Sequence, residues 1–252
     1  MDQKYCNMNL QRLYIISRTI FVLACLLTSK DVICRQKTII YCFPGQGADF
    51  RLFDSIRVDT ALFELAFVEY GTPEKWMNMK DFACSLINEI DTSRQYVLLG
   101  VSLGGMICVE LNESLNTWKT NLISSAQNRN ELPARYRFQR AIPLYKLFPK
   151  RILLIGSKIM QPIVEPDRKK NKETFKDMLN KKEAAYMKRT IHLIINWERD
   201  TNTKIIYQIH GNKDHTLPLR YIKNPDFIVE NGSHMMTLTR GTDISNILNQ
   251  IL

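Results

Sequence analysis

The chain has 252 residues, 45% hydrophobic and 24% charged. That balance is a globular protein's rather than a disordered chain's, and the length suits one α/β-sized domain with a buried core. The formal net charge is +10, and between residues 135 and 223 basic residues outnumber acidic ones by more than two to one. No aromatic-interleaved RNA motif and no zinc-ligand spacing accompanies this charge, so it reads as a lysine-rich surface, with no nucleic-acid partner expected.

The first 34 residues stand apart. Arg12 and Arg18 precede the short apolar run Thr19 to Leu27, and Thr28, Ser29, Lys30 and Asp31 follow. A basic stretch before a short apolar core is the pattern of a secretory signal, and the run is short for a membrane span. Residues 1–34 are therefore expected to be a signal peptide or N-terminal anchor, on a protein exported or held at a membrane. A first element of a cytoplasmic domain is the rival reading. Six cysteines (Cys6, Cys25, Cys34, Cys42, Cys84 and Cys108) form no CxxC pair and read as buried free thiols.

From residue 35 onward, short apolar runs alternate with helical patterns. Thr38–Phe43 is a β-rich run stopped by Pro44-Gly45, and Leu65–Tyr70 is a second, stopped by Gly71-Thr72-Pro73. Asn78 to Ile90 reads as a helix capped by Asn78, with Phe82, Leu86 and Ile90 on one face. Gln95–Leu99 is a strand, Gly104–Leu115 a helix and Asn121–Ser125 a further strand. Residues 128–200 break the alternation and read as helices. There, Asn180-Lys181-Lys182-Glu183 has the form of a capping box, before Ala184, Met187, Ile191 and Ile194 at helical spacing. Arg151–Ile155 fits strand or helix. Strands Lys204–Ile209 and Asp226–Glu230 and a closing helix Asp243–Leu252 complete the pattern. The expected fold class is α/β, a mostly parallel, doubly wound sheet built from residues 35–127 and 201–252, with 128–200 as a helical cap inserted late in the chain.

Sites on such sheets form where strands end. The polar residues at strand exits are Gln46, Asp49, Ser102, His210, Asp214 and His234. Ser102 lies in Gly100-Val101-Ser102-Leu103-Gly104, between a strand and a helix, which is the layout of a nucleophile elbow. A side chain at Gly100 or Gly104 would strike the neighbouring strand and helix. A serine nucleophile needs a base, and the base needs an orienting acid. Ser102, Asp214 and His234 follow each other in the chain order expected of this layout, with His210, His215 and His192 as less suited histidines.

These motifs together resemble the α/β-hydrolase family over roughly residues 38–252. Phe43-Pro44-Gly45-Gln46-Gly47 is similar to the family's oxyanion loop, with Pro44-Gly45 where the family often has His-Gly. Ile209-His210-Gly211-Asn212-Lys213-Asp214, with Leu217-Pro218, is similar to its acid loop. Gly232-Ser233-His234-Met235 is similar to its histidine loop. The resemblance implies a serine hydrolase of carboxylic esters or thioesters, with Ser102 as nucleophile, His234 as base and Asp214 as acid. It also implies an oxyanion hole of the Gln46 and Leu103 N–H groups. The apolar face of the cap, Met187, Ile191 and Ile194, is expected to line an acyl or alcohol pocket for a small acyl substrate, and no His/Cys/Asp cluster has metal-ligand spacing, so neither cofactor nor metal is expected. Acyl transfer, amide or C–C cleavage, a non-catalytic binding protein and membrane-surface attachment are the alternatives.

Overall fold

In the computed structural model, residues 36–152, 155–156, 159 and 171–252 are described. The expected leader (1–34), with Cys6, Cys25 and Cys34, lies outside them, as does most of the basic run at 168–172. Six strands form one sheet: β1 (Thr38–Phe43), β2 (Phe63–Phe67), β3 (Tyr96–Val101), β4 (Lys119–Ile123), β5 (Tyr207–Gly211) and β6 (Phe227–Val229). Their order is β2-β1-β3-β4-β5-β6, and every pairing is parallel. The helices whose bounds lie within the described residues are α1 (Met79–Ser85), α2 (Leu103–Ser114), α3 (Ala134–Ala141), α4 (Lys172–Asn180), α5 (Ala184–Ile195), α6 (Met236–Thr239) and α7 (Gly241–Ile251).

The period-two geometry of a strand explains the double winding. Ile39, Tyr41 and Phe43 of β1 enter a core with α1, α2 and the end of α5, among them Phe82, Met106, Leu111, Leu193 and Trp197. Ile40 and Cys42 face the opposite core, with Leu52, Phe53, Met236, Ile244 and Leu248. Apolar residues on both faces give the continuous apolar runs seen in the sequence. Among the described residues no helix is long and apolar enough to cross a membrane.

Element edges moved where the sequence has no period to read. β2 starts at Phe63, two residues before the expected Leu65, because its register opposite Thr38–Cys42 is fixed by β1, and the chain leaves the sheet after Val68 N–H bonds Cys42 O (3.0 Å). β4 covers residues 119–123 rather than 121–125, since Ser124 takes a left-handed φ of 48° and ends it. β5 runs 207–211 instead of 204–209, because pairing begins at Asn121 opposite Tyr207, so His210 and Gly211 belong to the strand. The helix expected from Asn78 to Ile90 has its cap, an Asn78–Asp81 capping box, but ends at Ser85 and continues as a 3-10 turn. The capping box expected at 180–183 does not form: Asn180 closes α4, and α5 follows Glu183 without a side-chain cap. Arg151, Ile152, Ile155 and Gly156 are helical. Cys84 is exposed, unlike buried Cys42 and Cys108.

One buried ion pair locks α2 to the chain that leads into β5. The Glu110 carboxylate, 4% exposed, accepts from Arg199 Nε (2.8 Å) and Nη2 (2.7 Å) and from Trp197 Nε1 (2.7 Å). Removing Glu110 leaves Arg199 only the longer contact to Glu113 (3.8 Å) and strands the Trp197 N–H, at a cost of about 3 kcal/mol. Glu110→Ala is accordingly expected to lower the melting temperature by roughly 10 °C, measured by calorimetry. A shift of a degree or two would show that the pair is not an anchor.

Candidate active site

Ser102 occupies the turn between β3 and α2 with φ 53° and ψ −119°. A non-glycine residue in that region is held against roughly 1–3 kcal/mol of strain. Its neighbours hold it there. Its N–H donates to Ile123 O (3.1 Å), and its carbonyl accepts from Gly105 N (2.9 Å), Met106 N (3.2 Å) and Ser125 Oγ (2.6 Å). The turn closes because the flanking residues lack side chains. A β-carbon at Gly104 would sit 2.1 Å from Phe43 O, and one at Gly100 would sit 2.5 Å from Gly104 O.

Asp214 leaves β5 and His234 follows β6, both at the same end of the sheet as Ser102. His234 Nε2 is 2.8 Å from Ser102 Oγ, and His234 Nδ1 is 2.8 Å from Asp214 Oδ2. The carboxylate is buried (3% exposed), and its Oδ1 accepts from Thr216 N (2.8 Å) and Leu217 N (2.7 Å). Burial pushes the Asp214 carboxyl up, but the adjacent His234 charge and hydrogen bond, His210 and the Leu217 N–H outweigh it and hold it below the usual carboxylate range. An ionised carboxylate only accepts, so the His234 proton resides on Nδ1. In the neutral imidazole Nε2 is then the acceptor for the Ser102 hydroxyl.

His210 lies beneath this pair, fully buried. Its Nε2 is 2.7 Å from Leu217 O and 3.4 Å from Asp214 Oδ2. Both neighbours are acceptors, so Nε2 carries the proton and holds, by its carbonyl, the residue whose N–H binds Asp214. Burial lowers its pKa below the usual histidine value, only partly offset by Asp214, and it is neutral near pH 7. The unfolded chain therefore takes up this proton first. The stabilising contribution is complete above about pH 6.5 and is lost as pH falls toward the folded-state value. Between pH 7 and pH 5 the melting temperature is expected to fall less for His210→Gln than for the native chain, and equal falls would count against this account. His192 titrates in the same direction in both proteins, whereas Asp214 acts only at lower pH.

The Gln46 loop flanks the serine. A β-carbon at Gly45 would lie 3.2 Å from Ser102 Cβ and 3.9 Å from its Oγ. Among the described residues neither the Gln46 N–H nor the Leu103 N–H donates to another protein group. The Gln46 side chain reaches α5, where Nε2 donates to Thr190 Oγ1 (2.6 Å) and Met187 O (3.4 Å). Tyr70 donates to Pro44 O and pairs with Tyr186, whose phenol is pushed up to about 12 by burial. Loop and helix are thus tied at several points. Asp49 plays no part in this cluster, since it caps the 3-10 turn at Phe50 and binds Arg51. His215 is exposed, and His192 Nδ1 is bound to Tyr145 OH (2.6 Å). Sequence reading missed Thr190, Tyr70, Tyr186 and Ser125; only the apolar spacing of α5 hinted that this helix had a buried side.

No protein-family model and no curated protein sequence matches the chain. Solved structures do. An enol-lactonase from Burkholderia xenovorans LB400 superposes with a TM-score of 0.65 at 12% identity, covering 84% of this chain and 90% of that one. A thermophilic esterase from Thermogutta terrifontis gives 0.61 at 13% identity over 85% and 89%. A lipase-esterase related protein from Clostridium acetobutylicum ATCC 824 gives 0.60 at 12% identity over 86% and 96%. With the parallel six-stranded sheet, these likenesses establish the α/β-hydrolase fold.

Proposed function

We propose that this protein is a serine hydrolase of carboxylic esters or thioesters. The observation that carries the reading is the continuous hydrogen-bonded line from Ser102 through His234 to Asp214, 2.8 Å at each step, starting from a serine in a strained turn. A capping serine needs neither the strain nor the histidine. The lactonase and the esterases among the structural neighbours favour an ester bond, although fold alone does not name a substrate.

In the proposed cycle His234 Nε2 takes the Ser102 proton as Oγ attacks the acyl carbon. Asp214 keeps the imidazole in the Nδ1–H form and stabilises its charged state. The free Gln46 and Leu103 N–H groups receive the oxyanion, with Leu103 at the positive end of α2. Collapse expels the alcohol or thiol, which takes the proton from His234. Water activated by the same Nε2 then releases the acid from the acyl-enzyme. The helices between β4 and β5 serve as the cap. Its acyl wall is narrower than the sequence suggests, because Ile194 is buried in the sheet core with Leu193 and Trp197. Met187 packs by Tyr70 and Tyr186, beside Gln46.

A fluorophosphonate probe tests the assignment on the intact chain. Labelling is expected at Ser102 and nowhere in Ser102→Ala, with loss of p-nitrophenyl butyrate hydrolysis in step. A folded protein that neither reacts with the probe nor hydrolyses short p-nitrophenyl esters would refute the reading.

A further inference from the structure

A cleft of about 300 Å³ lies on α5, away from the Ser102 centre. Ala185, Lys188, Arg189 and His192 line it at helical spacing, facing Glu74, Lys75 and Met77 after β2, with Lys150 closing it. None of these residues belongs to the Ser102, Asp214 and His234 line or to the Gln46 loop. Four cations meet one carboxylate there, and that carboxylate is mostly exposed and 3.8 Å from Arg189. The volume is at the lower end for small-molecule sites.

The polar groups are pre-set by bonds that leave their charge unneutralised. Lys188 Nζ donates to the carbonyls of Lys146 (3.0 Å) and Phe148 (2.9 Å), which uses two of its three hydrogens. Arg189 Nη1 donates to Pro73 O (2.6 Å), and the other guanidinium nitrogens have no partner among the described residues. His192 Nδ1 lies 2.6 Å from Tyr145 OH and 3.0 Å from Asn196 Nδ2, which fixes the ring, and its Nε2 has no partner among the described residues. Among the described residues Lys75 and Lys150 likewise pair with no carboxylate. Three ammonium groups, a guanidinium and the His192 imidazole are thus fixed or gathered around a wall of Met77, Ala185 and lysine stems. A surplus of three positive charges suits a phosphate dianion better than a carboxylate, and the carbon walls suit an apolar chain.

We propose that this cleft is a second binding site, for a phosphate monoester carrying a short apolar chain. The site sits on the back of the helix whose other side holds Gln46 through Thr190 and Met187, and it does not depend on Ser102 being a nucleophile.

Hexyl phosphate is the probe. Calorimetric titration of the full chain at low salt should give one site. Binding should weaken about tenfold or more in Lys75→Glu and in Arg189→Met. Inorganic phosphate and 1-hexanol should each bind at least tenfold more weakly than the ester. Hydrogen exchange with the ester bound should show protection at residues 73–77 and 184–192. Among the described residues the Lys75 side chain makes no bond, so its variant is not a folding test. Unchanged affinity in both variants, no binding at all, or protection confined to the segments around Ser102 and His234 would overturn the proposal. A phosphatidate vesicle arm identifies the source: binding to vesicles as well as to the soluble ester marks a lipid headgroup, binding to the ester alone marks a soluble metabolite, and both support the site.

Discussion

Ser102→Ala is expected to lower kcat/KM for p-nitrophenyl acetate and butyrate by about 10⁵- to 10⁶-fold, the scale on which removing a serine nucleophile acts. Without Oγ there is no group to receive the acyl carbon. What remains is whatever the Gln46 and Leu103 N–H groups achieve for direct attack by water, a residue of about 10³–10⁴ over the uncatalysed rate. The fold should survive. Alanine removes only the hydroxyl, and the bonds that hold the turn, from the Ser102 N–H to Ile123 O and from Ser125 Oγ to the Ser102 carbonyl, are made by its backbone. An unchanged melting temperature alongside lost turnover would therefore locate the chemistry. A loss of less than tenfold in purified protein would mean that another group attacks.

The sheet and the three residues brought together at its edge were legible in the chain for a shared reason: each is marked by a break in an apolar run. Pro44-Gly45 ends β1, the glycines around Ser102 end β3, and polar residues follow β5 and β6. Strand edges were less legible: β4 and β5, buried on both faces, have no period, and the edge strand β2 shows no clean alternation, so all three are placed by pairing with their neighbours and not by their own residues. His210 entered β5 by that route, which is why it sits under Asp214 rather than in a loop. The helices between β4 and β5 followed a different logic. Asn180 to Glu183 has the letters of a capping box, yet α4 consumes Asn180 as its last residue. The bonds that matter most there, Gln46 to Thr190 and Glu110 to Arg199, join residues separated by 144 and 89 positions. Neither local propensity nor motif spacing carries that information. Nothing local in the sequence marks Glu110, inside α2, as buried.

Asp214→Asn should cost roughly 10⁴-fold in kcat near neutral pH while leaving the fold intact. The geometry specifies how. Oδ1 accepts from Thr216 N at 2.8 Å and Leu217 N at 2.7 Å, so the oxygen of an introduced amide must stay on that side, since an amide nitrogen there would meet two donors. The amide NH₂ is then turned toward His234 Nδ1, 2.8 Å from the present Oδ2. Facing a donor, Nδ1 has to become the acceptor, and the ring proton moves to Nε2. That nitrogen, 2.8 Å from Ser102 Oγ, can no longer take the serine proton. The negative charge that stabilises the imidazolium is also gone. His210 meets the same substitution differently: its Nε2–H bonds chiefly to Leu217 O at 2.7 Å and stands 3.4 Å from Oδ2, so its tautomer is unaffected. The variant should therefore react far more slowly with the fluorophosphonate probe yet melt within a few degrees of the native chain. Retained activity with an unchanged fold would mean that His234 is oriented by some other group and that Asp214 only braces the Thr216–Leu217 turn. Lost activity together with collapse of the melting transition would assign Asp214 to the fold instead of the reaction.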